Sequence, residues 1–286
     1  MQVYVYAKSG HNFGLENVRR ASAICNMLKE FDPILCTADY RAATFAKAEL
    51  GIGKGVGVDV IGNLPHVMER GDILIYDDSG EASSTMQEHM QGFCTHLFKV
   101  GDEISFDIVD ETYTSKNNIK IKNEKAIFFS DDDYSEWFLK LCEDSPTQDI
   151  PLLLGHYFFF GNDEKLKPYF NDIIEEEEYS DTILSTKYLL TASVHSAIES
   201  LACGNYPVFF KRADKDIEHI ELIEKYNIPV VQGDNIKELV ANFNSLIKNY
   251  PTLNSFDNFD ISEIKTTITD TLKKFEMIQP SLDYKF

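Results

Sequence analysis

The residues whose types and spacing could do chemistry lie in the stretch Leu184–Arg212, LSTKYLLTASVHSAIESLACGNYPVFFKR. Ser193, His195, Ser196 and Glu199 gather two hydroxyls, an imidazole and a carboxylate over less than two helical turns. The elements that must position them are legible. Lys187–Thr191 ends in a short apolar run that suits a buried strand. Ser193 or Ser196 can N-cap the helix that follows, and Ser196 with Glu199 has the capping-box spacing S-x-x-E. Ile198, Leu201 and Ala202 form the apolar face of that helix, and Gly204 stands where it would end in a left-handed turn. Pro207 cannot continue a helix, and Val208–Phe210 reads as the next strand. A helix start of this kind offers unpaired amides and the positive end of a dipole, which attract phosphate. The same residues would also serve a capped helix in an α/β domain that binds nothing.

The pattern S-x-x-S-x-x-E-x-L-A-x-G-x-x-P, from Ser193 to Pro207, resembles the nucleotide-sugar-binding half of GT-B enzymes. It is similar in particular to the UDP-sugar hydrolase of pseudaminic acid synthesis and to the peptidoglycan N-acetylglucosaminyl transferase. The resemblance implies that Ser193, His195 and Ser196 face phosphate or sugar and that Glu199 holds the ribose.

The chain opens with Gln2–Ala7, which alternates in the manner of a first strand. A loop Lys8–Gly14, a helix Leu15–Phe31 and a strand Ile34–Thr37 follow. This β-loop-α-β order begins a Rossmann-like sheet, whose ligands sit beyond the carboxyl ends of the strands. The loop with His11 and Gly14 is at such an end. The hydrolase has the form G-x-G-H-x-x-R here, and FGLENVR aligns with it. Glu16 then stands at the His position and Arg19 at the Arg position. The family's His is thought to activate water, so its replacement argues against hydrolysis unless Glu16 or the nearby His11 acts as base. By the same resemblance Gly14 and Arg19 line the cleft. Arg19 would otherwise be a surface helix charge, and His11 a solvated loop residue. Strand Asp72–Tyr76 closes on Asp77 and Asp78, and the resemblance places Asp77 toward the cleft; both are also ordinary strand-end turn residues. The glycine run GIGKGVGVDVIGN has neither the P-loop nor the G-x-G-x-x-G spacing. It reads as a connection into a strand Val58–Ile61, followed by a short helix Leu64–Arg70.

In the second half, strand Lys125–Phe129 runs into Ser130-Asp131-Asp132-Asp133, where GT-B relatives usually carry a Gly-Gly pair. Three carboxylates there would repel a diphosphate, and a solvated helix cap is their plainer use. The aromatic run Tyr157–Phe160 reads as core packing rather than a base-stacking platform. The charge run Glu175–Glu178 reads as a solvated helix face.

The chain of 286 residues carries a net charge of −20 and is 43% hydrophobic, enough for a large packed core and too acidic for general nucleic-acid binding. Five scattered cysteines form no CxxC pair, and with no His/Cys cluster no metal site and no cofactor are expected. No signal peptide and no transmembrane segment are recognised, so the expectation is a cytoplasmic protein with free thiols. The expected fold is α/β and GT-B-like: two Rossmann-like domains, 1–115 and 123–260, facing an interdomain cleft, with a C-terminal helix over 261–286 crossing back. Lys116-Asn117-Asn118 falls in the passage between them. The resemblance covers most of the chain and implies a glycosyltransferase of bacterial surface glycan synthesis. Its partners would be a nucleotide sugar, UDP-linked first, and a glycan or small-molecule acceptor. A nucleotide-sugar hydrolase and a non-catalytic sugar- or protein-binding relative are the alternatives.

Overall fold

The computed structural model describes residues 1–115, 120–158 and 161–278. Lys116, Asn117, Asn118, Phe159 and Phe160 lie outside the described residues. The chain divides into two compact units. The first comprises Met1–Lys8, Asn17–Ile108 and the chain from Phe259 on, and the second comprises Ser9–Glu16 and Val109–Asn258.

In the first unit, strands β1 (Val3–Ala7), β2 (Ile34–Thr37), β3 (Gly55–Gly57), β4 (Ile73–Asp77) and β5 (His96–Lys99) form one sheet in the order β3-β2-β1-β4-β5. All pairings are parallel. Every residue of β1 and β4 is buried, as suits central strands covered on both faces. The tyrosines of β1 spend their hydroxyls on main-chain oxygens, Tyr4 on Val67 at 2.9 Å and Tyr6 on Asp59 at 3.4 Å. Helices Tyr40–Glu49 and Ser84–Phe93 begin at side-chain caps from Asp39 and Ser83. The strand expected at Val58–Ile61 is displaced. Pairing with β2 falls on Gly55–Gly57, and Ile61–His66 is a 3-10 helix. The glycines can lie flat beside β2, and the Val58 amide instead reaches the Thr37 carbonyl at 2.7 Å. Helix Ser262–Ile278 belongs to this unit through buried Ile264 and Ile268 and a 2.8 Å bond between His96 Nε2 and Thr271 Oγ1.

The second unit holds β6 (Asn123–Phe128), β7 (Asp132–Asp133), β8 (Gln148–Leu153), β9 (Tyr157–Phe158), β10 (Phe170–Ile174), β11 (Thr186–Thr191), β12 (Tyr206–Phe210) and β13 (Val230–Val231). Six form a parallel sheet in the order β10-β8-β6-β11-β12-β13, while β7 and β9 pair apart. Counted within the unit this is 3-2-1-4-5-6, the Rossmann order, which reverses between β6 and β11. Aromatics fill one side. Phe129 stacks on Phe138 at 4.6 Å, and Phe138 on Phe170 at 5.9 Å. Each fully buried ring contributes about 1.5–3 kcal/mol.

Candidate functional site

The switch point of the second sheet lies between the loops that follow β6 and β11. After β11, Thr191 Oγ1 accepts the Ser193 amide at 3.0 Å, turning the chain out of the sheet. Ser193 is the N-cap of helix Val194–Ala202, its Oγ accepting the Ser196 amide at 3.1 Å. Gly204, at φ +80°, follows the end of that helix. The amides of Val194 and His195 in the first turn have no intrahelical acceptor.

Behind this turn runs a chain of hydroxyls. Ser193 Oγ meets Ser196 Oγ at 2.8 Å, and Ser196 Oγ meets Tyr179 Oη at 2.6 Å. Tyr179 donates to Glu199 Oε2. Because that proton is spent on the carboxylate, Tyr179 must accept from Ser196, and Ser196 from Ser193, so the donors all run one way toward Glu199. The capping box expected of Ser196 and Glu199 is therefore not formed. The cap is Ser193, and one tyrosine 20 positions back in sequence takes the Glu199 oxygen. His195 Nε2 stands 3.3 Å from Glu199 Oε1, one turn along the helix. That approach lacks hydrogen-bond geometry, and neither ring nitrogen of His195 has a hydrogen-bond partner among the described residues. His195 and Glu199 are each 2% exposed.

After β6, Asp131, Asp132 and Asp133 are buried, and the expectation of a solvated cap is corrected. Asp132 is the hub of an ion network. Its Oδ2 lies 2.9 Å from Arg212 Nη1 and from Lys215 Nζ, and Ser130 Oγ donates to its Oδ1 at 2.7 Å. Arg212 also binds Asp214 at 2.6 Å and lies 4.5 Å over the Phe129 ring. Burial opposes the charge on Arg212, but its bonds to Asp214 and Asp132 outweigh it and raise its pKa. Asp133 accepts the Phe138 amide at the start of helix Trp137–Cys142, so it does cap, from inside the protein. Burial pushes its carboxyl up to about 6.

The loop with His11 and Gly14 belongs to this second unit. The Gly14 amide closes on the Gly10 carbonyl at 2.8 Å, and the Leu15 amide reaches Asp131 Oδ2 at 3.3 Å. Gly14 has φ +73°, and a Cβ there would stand 3.2 Å from Asp131 Cβ. The backbone angle favours glycine, and the close approach leaves a Cβ little room. His11 is exposed, its ring 5.3 Å from Tyr134 and 5.2 Å from Tyr157. Glu16 is half-buried at the first position of helix Glu16–Met27. No hydrogen bond, ion pair or ring contact among the described residues joins His11 or Glu16 to Ser193, His195, Ser196 or Glu199. The structure thus gathers Ser193, Ser196 and Glu199 in one bonded set, and it sets the His11–Gly14 loop against Asp131 in the loop after β6.

In the first unit, Asp77 ends β4 in a buried ion pair, its Oδ2 2.8 Å from Arg20 Nε. Arg20 also reaches Asn17 Oδ1 at 2.5 Å. Arg20 was not singled out by the sequence reading, although it lies four residues before Ile24 on the inner stripe of the helix. Arg19 is 4% exposed, so it is not a surface charge. Asp78 folds its own turn, accepting the amides of Gly80 at 3.1 Å and Ala82 at 2.7 Å. No group of three or more His, Cys, Asp or Glu among the described residues could hold a metal ion. No helix among them is long and apolar enough to cross a membrane.

No family model and no curated protein matches this sequence. Solved structures do match in shape. The UDP-GlcNAc 2-epimerase of Methanocaldococcus jannaschii, in complex with UDP-GlcNAc and UDP, aligns over 94% of this chain and 99% of its own, with TM-score 0.54 and 10% identity. Anabaena Alr3699/HepE in complex with UDP aligns over 96% of this chain and 100% of its own, with TM-score 0.49 and 12% identity. Escherichia coli heptosyltransferase WaaC with ADP-2-deoxy-2-fluoro heptose aligns over 88% and 100%, with TM-score 0.44 and 9% identity. The parallel order of both sheets and the likeness to the epimerase establish the architecture: this chain has a GT-B-like fold of two Rossmann-like α/β units.

Proposed function

We propose that this chain binds a nucleoside-diphosphate sugar, UDP-linked first, at the start of helix Val194–Ala202 and transfers the sugar to a glycan or small-molecule acceptor. One observation carries the reading. At the switch point, beside first-turn amides with no intrahelical acceptor, the buried His195 makes no hydrogen bond through either ring nitrogen, although Nε2 lies 3.3 Å from Glu199 Oε1. Leaving such a group unsatisfied costs about 1–3 kcal/mol. A ligand oxygen at the helix start would recover that cost, and the helix dipole would favour its negative charge.

The chemistry asked of these residues is simple. An acceptor hydroxyl attacks the anomeric carbon, a base takes its proton, and the bond to the diphosphate breaks with the electron pair leaving on the phosphate oxygen. The helix start holds the departing charge. Oε2 of Glu199 is held by Tyr179 and Oε1 faces His195 at 3.3 Å, so in this reading a ribose hydroxyl reaches Oε1 beside that imidazole. His11, exposed in its loop, or Glu16 serves as base; Asp77 is committed to Arg20. The pseudaminic acid hydrolase chemistry, with water as acceptor, needs Glu16, where that family has His, or the nearby His11 to act as base. A non-catalytic sugar- or protein-binding relative is favoured by one observation: the Glu199 carboxylate already has a strong donor in Tyr179. A role in bacterial surface glycan synthesis, in the cytoplasm, belongs to the transferase reading.

Calorimetry with UDP, UDP-GlcNAc and CMP- and GDP-sugars tests this. A UDP ligand should bind the wild type, and Glu199→Gln should weaken it by about 1.5–3 kcal/mol, the worth of a hydrogen bond to a charged group. Binding unchanged in Glu199→Gln removes the ribose role. Failure of every nucleotide to bind the wild type supports the non-catalytic relative.

A further inference from the structure

A concavity of about 510 Å³ opens in the first unit at the carboxyl ends of β2 and β3. It lies on the side of that sheet away from β4, where the residues assigned above have no part. Its rim carries Asp39, Tyr40, Asp59, Asn63, His66 and Val67. Tyr40 is 75% exposed and Val67 44%, and Val56 and Val60 beside the rim are 38% and 43% exposed. An aromatic ring presented this way at the first position of a helix contributes little to the core. Tyr40 and Val67 thus bring exposed apolar surface to the rim of the concavity next to polar groups, a combination that suits a ligand.

The polar part of the rim is held in place. Asp59 Oδ1 accepts Asn63 Nδ2 at 2.6 Å and the Val60 amide at 2.9 Å. The Asn63 bond, set against a small effect of burial, keeps the Asp59 pKa below its ordinary value, so the carboxylate is charged at neutral pH. Asp39 is fixed as an N-cap by the Ala42 amide at 3.1 Å. Below them Tyr6 Oη bonds the Asp59 carbonyl at 3.4 Å. The concavity therefore offers one aromatic face, positioned carboxylate and amide groups, and more negative than positive charge. Phosphates are repelled by Asp39 and Asp59. A pyranose ring fits this chemistry: its C–H face packs on an aromatic ring and its hydroxyls bond to carboxylate, amide and imidazole.

We propose that this concavity is a second ligand site, specific for a neutral saccharide, separate from the nucleotide site of the second unit. The test is a panel of neutral glycans, sialylated glycans and free uridine, titrated by saturation-transfer NMR and calorimetry. At least one neutral glycan should bind, with no binding of sialylated glycans or uridine in its place. Tyr40→Ala should weaken that glycan about tenfold or more, the scale of a lost aromatic contact, and Tyr40→Trp should retain it. Tyr40 is exposed, so neither change should disturb folding. Nucleotide affinity should be the same in Tyr40→Ala and wild type, which keeps this result independent of whether the second unit binds nucleotides. Absence of any neutral glycan binding, preference for an anionic glycan or uridine, or equal affinity in Tyr40→Ala overturns the proposal.

Discussion

Replacing Asp77 with Asn tests whether that residue serves the fold or the chemistry. Its pair with Arg20 is buried on both sides, with side chains 2% and 3% exposed and a 2.8 Å contact. At an effective dielectric near 20 the gross attraction is about 4–6 kcal/mol, and in the native protein the desolvation of both ions offsets much of it. Asp77→Asn removes the attraction while the guanidinium stays buried. Asn17 Oδ1 at 2.5 Å and the Phe106 ring at 5.6 Å remain beside it. The expected loss is about 3–5 kcal/mol, and a drop in the thermal midpoint of roughly 10 °C or more. Arg20→Met in the same chain should return part of that loss, because the buried charge that faced Asp77 is then gone. Two units can unfold separately, so urea denaturation should be joined to hydrogen exchange at the Ile73–Asp77 amides. A stability within about 1 kcal/mol of wild type, with turnover lost, would refute this reasoning and return Asp77 to catalysis.

Asp133 carries a pH dependence. Its carboxyl is raised from 3.8 to about 6 by burial, so between those values the native state holds a proton that the unfolded state has released. Stability should therefore fall as pH rises through that window, by up to roughly 3 kcal/mol, and level off above it. Asp133→Asn keeps the acceptor for the Phe138 amide and should lack this fall, as parallel denaturation series at pH 4 and pH 7 would report. Tyr179→Phe removes the hydroxyl between Ser196 and Glu199, leaving Glu199 Oε2 without that donor. The second unit should lose about 1–3 kcal/mol by urea denaturation, and no measurable loss would mean the relay does not stabilise it.

Local patterns made much of the fold legible. Apolar runs marked the central strands, and Ser193 announced a helix start that the structure confirms. Glycine runs misled, because a strand of Gly55–Gly57 has no side-chain periodicity to detect. The gathering of Ser193, Ser196 and Glu199 was legible because one helix holds all three. What surrounds them was not. Tyr179 sits 20 positions before Glu199, Arg212 lies 80 from Asp132, and Arg20 lies 57 from Asp77. No spacing rule reaches across such separations, since the sheet order alone brings them together. The burial of the three aspartates after β6 was missed for the same reason, the counter-charges of Asp132 coming from beyond β12.

The first unit is assembled from Met1–Lys8, Asn17–Ile108 and the chain from Phe259 on, with the second unit's sequence in between. This sets an order of events on the ribosome. At about 5–20 residues per second, Val109–Asn258 takes roughly 8–30 s to emerge, long enough for a domain to fold. Ser9–Glu16, which the second unit also needs, is already outside by then. The helix Ser262–Ile278, whose Ile264 and Ile268 fill the first unit, appears only afterwards. The unit that starts first thus finishes last, holding the apolar surface destined for that helix open throughout the synthesis of its neighbour.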